Sequence, residues 1–142
     1  MLYDTILIPL ENSPTDDAIL AHTRLLAKVC GSRLVLVHVA DGHVARNQQQ
    51  LNLAESEEMR EDRAYLERRR EELARDGFEV QAILKCGDPT TEILALTRQM
   101  KCDLIAMGTH GHGFVKDVML GSVASKVRHR TDLPVLLVRG QA

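Results

Sequence analysis

The chain contains few aromatic residues, with two Tyr, two Phe and no Trp among its 142 residues. Proteins that bind single-stranded nucleic acid stack the bases on aromatic side chains, and nucleic-acid binders generally carry excess positive charge. The formal net charge of this chain is −2. The composition therefore argues against nucleic acid as a partner.

Long apolar runs and paired cysteines are also missing. No segment approaches the roughly 18 apolar residues that cross a bilayer, and no basic, apolar leader precedes Asp4. The cysteines, Cys30, Cys86 and Cys102, are far apart and lack C-x-x-C spacing, which predicts reduced, mostly buried thiols. We expect no membrane partner and a cytoplasmic location.

What the chain does contain is a regular alternation of short apolar runs with helical patterns. Strands are predicted at residues 5–10, 33–39, 78–85, 104–107 and 133–138, the third as a less buried edge strand because its apolar residues alternate. Helices are predicted from Ser13 to Cys30, across 51–76 before Gly77, from Asp88 to Met100, and from Gly121 to Arg130.

This alternation predicts one α/β domain over residues 1–142, with a parallel sheet that helices cover on both faces. In such folds ligands bind at the carboxyl ends of the strands, where the strand order reverses. Residues 9–13, 39–42 and 107–111 follow predicted strands. We therefore expect these three segments to form a single site.

Two helix starts carry recognisable capping residues. Ser13 is a candidate N-cap, with Pro14 at the first helical position and Asp16 as the carboxylate of a capping box. Asp88 before Pro89 is a second candidate N-cap.

The most specific motif is G-x2-G-x9-G-[ST], formed by Gly108, Gly111, Gly121 and Ser122. Glycines allow a ligand to approach the backbone, and a helix N-terminus favours an anion, so the motif suits a phosphate-bearing ligand. It is neither a P-loop nor a G-x-G-x-x-G fingerprint. The alternative is that Gly111 and Gly121 only form tight turns and allow close packing of helix on strand.

The chain resembles the universal stress proteins over nearly its whole length. The resemblance rests on Ile6-Leu7-Ile8-Pro9-Leu10, Leu36-Val37-His38-Val39, Met107-Gly108-Thr109-His110-Gly111, Gly121-Ser122-Val123-Ala124 and Pro134-Val135-Leu136-Leu137-Val138. It implies an open, five-stranded parallel sheet of the Rossmann-like, adenine nucleotide alpha hydrolase-like class, with strand order 3-2-1-4-5. It also implies a homodimer that pairs through the last strand, at residues 134–138.

In the nucleotide-binding branch of that family the glycine motif holds the ribose and phosphates of ATP, and the ends of strands one and two hold the base. The resemblance thus implies ATP or AMP as the ligand, with Mg²⁺ as an optional companion. The nucleotide-binding residues that it predicts are Pro9, Leu10, Glu11, Asn12, Val39, Met107, Gly108, Thr109, His110, Gly111, His112, Gly121, Ser122 and Val123.

Two positions depart from the family pattern. Glu11-Asn12 stands where Asp-Gly is usual, so a ribose contact is expected to shift by one methylene. His112 stands where Arg or Lys is frequent, which weakens a charge-assisted phosphate contact at neutral pH.

Metal and catalytic sites are not predicted. His110, His112 and His129 are candidate metal ligands, but the pair His110 and His112 lacks a third ligand at familiar spacing and has no adjacent cysteine. His38 lies inside an apolar strand, where we expect a satisfied buried histidine. Near the strand ends, Glu11 and Asp88 have ordinary loop or capping roles. We expect no catalytic residues and at most slow ATP hydrolysis.

Three functions are compatible with the sequence. The first is a regulatory stress-response dimer that binds an adenine nucleotide and acts on protein partners that the sequence does not identify. The second is a dimeric interaction module of the same fold that binds no nucleotide and uses its charged second helix. The third is an enzyme that acts on an adenylated or phosphorylated small molecule.

Overall fold

Strands and helices alternate through the part of the chain that the computed structural model describes, residues 2–41, 57–109 and 118–140. The strands are β1 (Thr5–Pro9), β2 (Arg33–Asp41), β3 (Val80–Gly87), β4 (Leu104–Thr109) and β5 (Val135–Arg139). The helices are α1 (Thr15–Cys30), α2 (Glu57–Arg75), α3 (Pro89–Gln99) and α4 (Val118–Arg130). All strand pairs are parallel, in the order β3-β2-β1-β4-β5, which confirms the predicted fold class.

The central strands are buried on both faces because helices cover both sides of the sheet. Ile6 and Ile8 of β1 pack with Tyr65 and Leu66 of α2 in one apolar layer. Leu7 belongs to the opposite layer, which α3 and α4 complete. β3 lies at the edge of the sheet and is mostly half-buried, as its alternating pattern predicts.

Two of the predicted helix ends are confirmed. α1 stops at Gly31, whose φ of 68° places it in the left-handed region that glycine adopts without strain. α3 begins after Asp88, whose carboxylate accepts the Thr91 N–H at 3.0 Å. That backbone hydrogen bond, joined by one from the Thr91 hydroxyl, lowers the pKa of Asp88.

The predicted start of α1 is wrong in two respects: Ser13 is not the N-cap, and Pro14 precedes the first helical position instead of occupying it. Pro14 caps the helix, no side chain makes a cap hydrogen bond there, and the Ser13 hydroxyl donates instead to Glu11. The Asp16 carboxylate does accept the Ser13 N–H, at 3.4 Å. The Asp16 N–H, which the Ser13 hydroxyl would have capped, donates instead to the Ser13 carbonyl oxygen at 3.0 Å.

The fourth helix begins earlier than predicted, at Val118 instead of Gly121. Val118, Met119 and Leu120 contain no helix breaker, so the helix extends through them, and Ser122 lies beyond its first turn. The first six residues of the predicted second helix, 51–56, lie outside the described residues, and α2 ends at Arg75 before Gly77.

The three cysteines are free. Cys30 and Cys102 are buried, whereas Cys86 is exposed on the edge strand β3. Burial raises the pKa of the Cys102 thiol to about 11, so this side chain stays protonated at neutral pH. Among the described residues no helix is both long and apolar enough to cross a membrane.

Two glycines allow the start of α1 to lie directly against the ends of β4 and β5. A Cβ on Gly108 would lie 3.0 Å from Cγ2 of Thr15, and a Cβ on Gly140 would lie 2.9 Å from the same methyl group. Such distances are shorter than a van der Waals contact between carbon atoms. Gly108 therefore has a packing role in the fold, which the sequence prediction did not assign to it.

Replacing Gly108 with Ala is expected to destabilise the fold by about 1–3 kcal/mol, because the new methyl group overlaps with Thr15. Thr15→Ser removes Cγ2 and keeps the hydroxyl. Urea unfolding should therefore show that Thr15→Ser recovers part of the lost stability in the Gly108→Ala background. If Thr15→Ser lowers the free energy of unfolding by the same amount in the wild type and in the Gly108→Ala variant, the contact between the two residues does not cause the destabilisation.

Candidate ligand-binding site

A cavity of about 230 Å³ opens where β1, β2 and β4 end at the carboxyl edge of the sheet. β1 lies between β2 and β4, so the strand order reverses at this point. The cavity is thus at the position where doubly wound α/β folds bind ligands. Its lining residues are Pro9, Leu10, Glu11, Thr15, Asp16, Val37, His38, Val39, Pro89, Ile93, Met107, Gly108 and Val123.

The walls of the cavity are mainly apolar and its polar groups are few. Val39, Ile93 and Met107 come from three different elements and supply apolar surface suited to a flat ring. Glu11 and His38 add polar groups at the ends of β1 and β2. An apolar pocket with a few convergent polar groups is the usual form of a small-molecule site.

Seven of the predicted nucleotide-binding residues line this cavity, from four separate segments of the chain. They are Pro9, Leu10, Glu11, Val39, Met107, Gly108 and Val123. Asn12, Thr109 and Ser122 lie next to lining residues in the chain and are not themselves part of the lining. Gly121 lies in α4, and His110, Gly111 and His112 lie outside the described residues.

The sequence prediction did not include six of the lining residues as site residues. Thr15 and Asp16 come from the start of α1, Val37 and His38 from β2, and Pro89 and Ile93 from the start of α3. Asp88-Pro89 follows β3 at the same edge of the sheet, which was the available signal for the α3 residues. No pattern indicated that the start of α1 reaches the cavity.

Asp16 organises the loop between β1 and α1. Its carboxylate accepts the backbone N–H of Glu11 at 3.0 Å and that of Asn12 at 2.9 Å. The Tyr65 hydroxyl of α2 donates to the same carboxylate at 2.6 Å. Asp16 is only 2% exposed, so these donors replace the water that the buried charge would otherwise need.

His38 has a hydrogen-bonding partner on each ring nitrogen. Nδ1 lies 2.8 Å from the Leu10 carbonyl oxygen, which only accepts, so Nδ1 carries a hydrogen. Nε2 lies 3.2 Å from a carboxylate oxygen of Asp62 on α2. The prediction of a satisfied histidine is confirmed by these two contacts, although His38 is half-buried and lines the cavity.

No group of three or more His, Cys, Asp or Glu side chains is placed to hold a metal ion within residues 2–41, 57–109 and 118–140. His129 is exposed in the last turn of α4, and His110 and His112 lie outside these ranges. The expectation that the chain holds no metal stays a prediction.

Comparison with known proteins agrees with the fold. The sequence model of the universal stress protein family matches residues 2–139. A universal stress protein of Methanocaldococcus jannaschii is 26% identical over 156 residues, covering 98% of this chain and 96% of the relative. The structure of that protein has a TM-score of 0.83 and 29% identity, covering 100% and 99% of the two chains.

Two structural neighbours were solved with adenine nucleotides. A universal stress protein of Archaeoglobus fulgidus in complex with dAMP has a TM-score of 0.71 at 19% identity, covering 97% of this chain and 99% of its own. Another universal stress protein, in complex with cAMP, has a TM-score of 0.69 at 19% identity, with 98% of each chain covered.

The sheet defines an open, doubly wound α/β protein, and the cavity lies at the point where the strand order reverses. The family match extends over almost the whole sequence and the structural similarity to the M. jannaschii protein over all of it. The chain belongs to the universal stress protein family.

The Tyr65 phenol offers a direct optical test of the contact with Asp16. Burial, the hydrogen bond to Asp16 and the charge of Asp16 raise the pKa of Tyr65 well above its usual value of 10.0. The contact therefore stabilises the fold fully below about pH 10 and is lost as the pH rises through the folded-state pKa. The difference in phenolate absorbance between wild type and Tyr65→Phe should titrate far above pH 10. A midpoint near 10 would show that the hydroxyl is solvated.

Proposed function

We propose that this protein binds an adenine nucleotide, ATP or AMP, in the cavity at the ends of β1, β2 and β4, and that it acts as a regulatory stress-response dimer in the cytoplasm. The base and ribose occupy the described cavity. The phosphates extend towards the remainder of the glycine motif, and Mg²⁺ is an optional companion of those phosphates.

One observation carries this proposal: predicted nucleotide-binding residues from distant parts of the sequence line one cavity. Pro9 and Glu11 follow β1, Val39 lies on β2, and Met107 and Gly108 lie on β4. The resemblance to the family implies that Pro9, Glu11 and Val39 contact the base or the ribose. It implies that Met107 and Gly108 form the beginning of the segment that holds the ribose and phosphates. The complexes of universal stress proteins with dAMP and cAMP support this ligand class, because these proteins share the fold.

The size and charge of the cavity fit the nucleoside part of such a ligand. At about 230 Å³ it is smaller than the roughly 300–1,000 Å³ of sites that enclose a drug-sized ligand. No Lys or Arg belongs to its described lining, and Glu11 contributes a carboxylate that suits a ribose hydroxyl better than a phosphate. We infer that the nucleoside contributes most of the affinity gained in this part of the site.

We propose further that the protein does not use its ligand as a substrate and at most hydrolyses ATP slowly. Both nitrogens of His38 are engaged, and the Asp16 carboxylate already accepts from backbone amides and Tyr65. General acid–base catalysis requires a group that is free to exchange a proton with the ligand or with water. The other carboxylate in the described lining, that of Glu11, accepts the Ser13 hydroxyl at 3.3 Å, so it is engaged as well.

Val39→Phe is expected to abolish nucleotide-induced stabilisation, because the larger ring fills the apolar part of the cavity. For the wild type, AMP or ATP at 100 times its Kd should add about 2.7 kcal/mol of stability, an increase in Tm on the order of 5–10 °C. Differential scanning fluorimetry and calorimetric titration measure both effects.

Val29→Phe is the matched control, because it adds the same ring on the outer face of α1, where Val29 is 78% exposed. This variant should bind as the wild type does. A wild-type protein that shows no response to millimolar AMP, ADP or ATP would refute the nucleotide site. Rapid, multiple-turnover release of phosphate from ATP would refute the non-enzymatic role.

For the dimer we propose pairing through residues 134–138. β5 is an edge strand that pairs with β4 on one side, and no other described strand pairs with it. Leu137 on this strand is 44% exposed. An exposed apolar edge strand offers unpaired backbone groups that a second copy can satisfy.

Leu137→Lys is expected to shift the protein from dimer to monomer, because it places a charge in the proposed interface. Multi-angle light scattering across a concentration series measures this shift. Leu25→Lys is the control, since Leu25 is 68% exposed on α1. A wild-type monomer at high concentration, or a dimer that Leu137→Lys leaves intact, would contradict the proposed interface.

The interaction module that binds no nucleotide is less well supported. Its proposed surface is α2, where many charges are paired within the helix. Arg60 contacts Glu57 at 3.1 Å, and Arg70 pairs with Glu67 in the same i,i+3 spacing. Such pairs of mixed sign are typical of a solvated helix face.

A further inference from the structure

The inner face of α2 carries two polar side chains that reach the loop between β1 and α1. Tyr65 donates its hydroxyl to Asp16, the carboxylate that binds the amides of Glu11 and Asn12. Asp62, only 7% exposed, accepts from the Asn12 side-chain amide at 3.0 Å. The same Asp62 carboxylate contacts His38 at 3.2 Å, so one residue of α2 binds both the β1–α1 loop and the end of β2.

Asn12 has a backbone conformation in which glycine is the ordinary choice. Its φ of 63° lies in the left-handed region, which Asn tolerates better than other residues with a Cβ. A glycine would satisfy the backbone equally well and with less strain. What Asn12 adds is the hydrogen bond from its side-chain amide to the buried Asp62 carboxylate.

We infer that Asp62 and Tyr65 are positioning residues of the ligand site, which hold residues 11–13 so that Glu11 lies in the wall of the cavity. Neither residue belongs to the cavity lining, so each acts through Asn12, Asp16 or His38. The helix α2 thereby sets the geometry of the polar end of the site. This inference rests on the proposed nucleotide function.

The chemistry of the two contacts supports a positioning role over mere packing. Hydrogen bonds to a carboxylate are stronger and more directional than neutral ones. The carboxylates of Asp16 and Asp62 are both buried. The folded protein is therefore destabilised if a donor moves away and leaves either carboxylate without its hydrogen bond. Together they tie three segments, the β1–α1 loop, the end of β2 and α2, into one hydrogen-bonded unit.

Asn12→Gly distinguishes a role of the Asn12 side chain, through its hydrogen bond to Asp62, from a role of Asn12 only in adopting a positive φ. The substitution relieves the positive φ and removes only the contact with Asp62. We expect AMP to bind about tenfold more weakly, the equivalent of about one lost hydrogen bond to a charged group. If Asn12 served only the backbone, the variant would bind AMP as tightly as the wild type.

Asp62→Asn and Asp76→Asn form a matched pair for the helix. Asp76 directly follows the last residue of α2, at the end of the helix away from the cavity, and makes an ion pair with Arg24 of α1 at 2.7 Å. Asp62→Asn should weaken AMP binding about as much as Asn12→Gly does, whereas Asp76→Asn should leave the Kd unchanged. Equal effects of the two Asp→Asn variants on the Kd would overturn the inference.

Hydrogen exchange of the Glu11 amide in the ligand-free protein tests the positioning role without nucleotide. Asn12→Gly, Asp62→Asn and Tyr65→Phe should each accelerate exchange at this amide at least fivefold, and Asp76→Asn should not. Unchanged exchange in all three variants would refute the inference, even if nucleotide binds. If exchange is faster in the variants but the wild-type protein binds no nucleotide, the proposed function is refuted. The hydrogen-bonded contact by which α2 positions the loop would then still stand.

Discussion

The buried carboxylate of Asp16 is the constraint on which the ligand-facing end of this structure depends. A charge that is 2% exposed requires several donors, and it finds them in the loop amides and in Tyr65 of α2. Because these donors come from the end of β1 and from a helix far along the chain, satisfying one carboxylate fixes their relative positions. The cavity wall follows from that arrangement.

Close packing supplies the second constraint at the same place. Thr15, next to Asp16, fits against Gly108 and Gly140, so the start of α1 lies directly on the ends of β4 and β5. Gly108, the first glycine of the motif, is thus needed for the packing of the fold and also lines the cavity. Packing against α1 and binding a ligand are compatible roles for Gly108. One side of its backbone contacts α1, and the residue still lines the cavity.

Departures from the family pattern are easier to understand once these contacts are known. Asn12 stands where glycine is usual, adopts the left-handed backbone that glycine would, and binds Asp62 through its side chain. Glu11, in place of the shorter aspartate, still reaches the cavity wall. The helix α2, whose paired charges are typical of a solvated helix face, also contributes Asp62 and Tyr65 to this buried network.

The sequence by itself determined the alternation of strands and helices, the edge character of β3, the caps at Gly31 and Asp88, and, through Pro9, Val39 and Met107, where the cavity lies. These features follow from local periodicity and from the rule that parallel strands end at one edge. Only the tertiary structure decided that Asp16, Asp62 and Tyr65 form one network. The reason is physical: those contacts join residues far apart in the chain, and no local pattern records which buried carboxylate a distant hydroxyl or amide will satisfy.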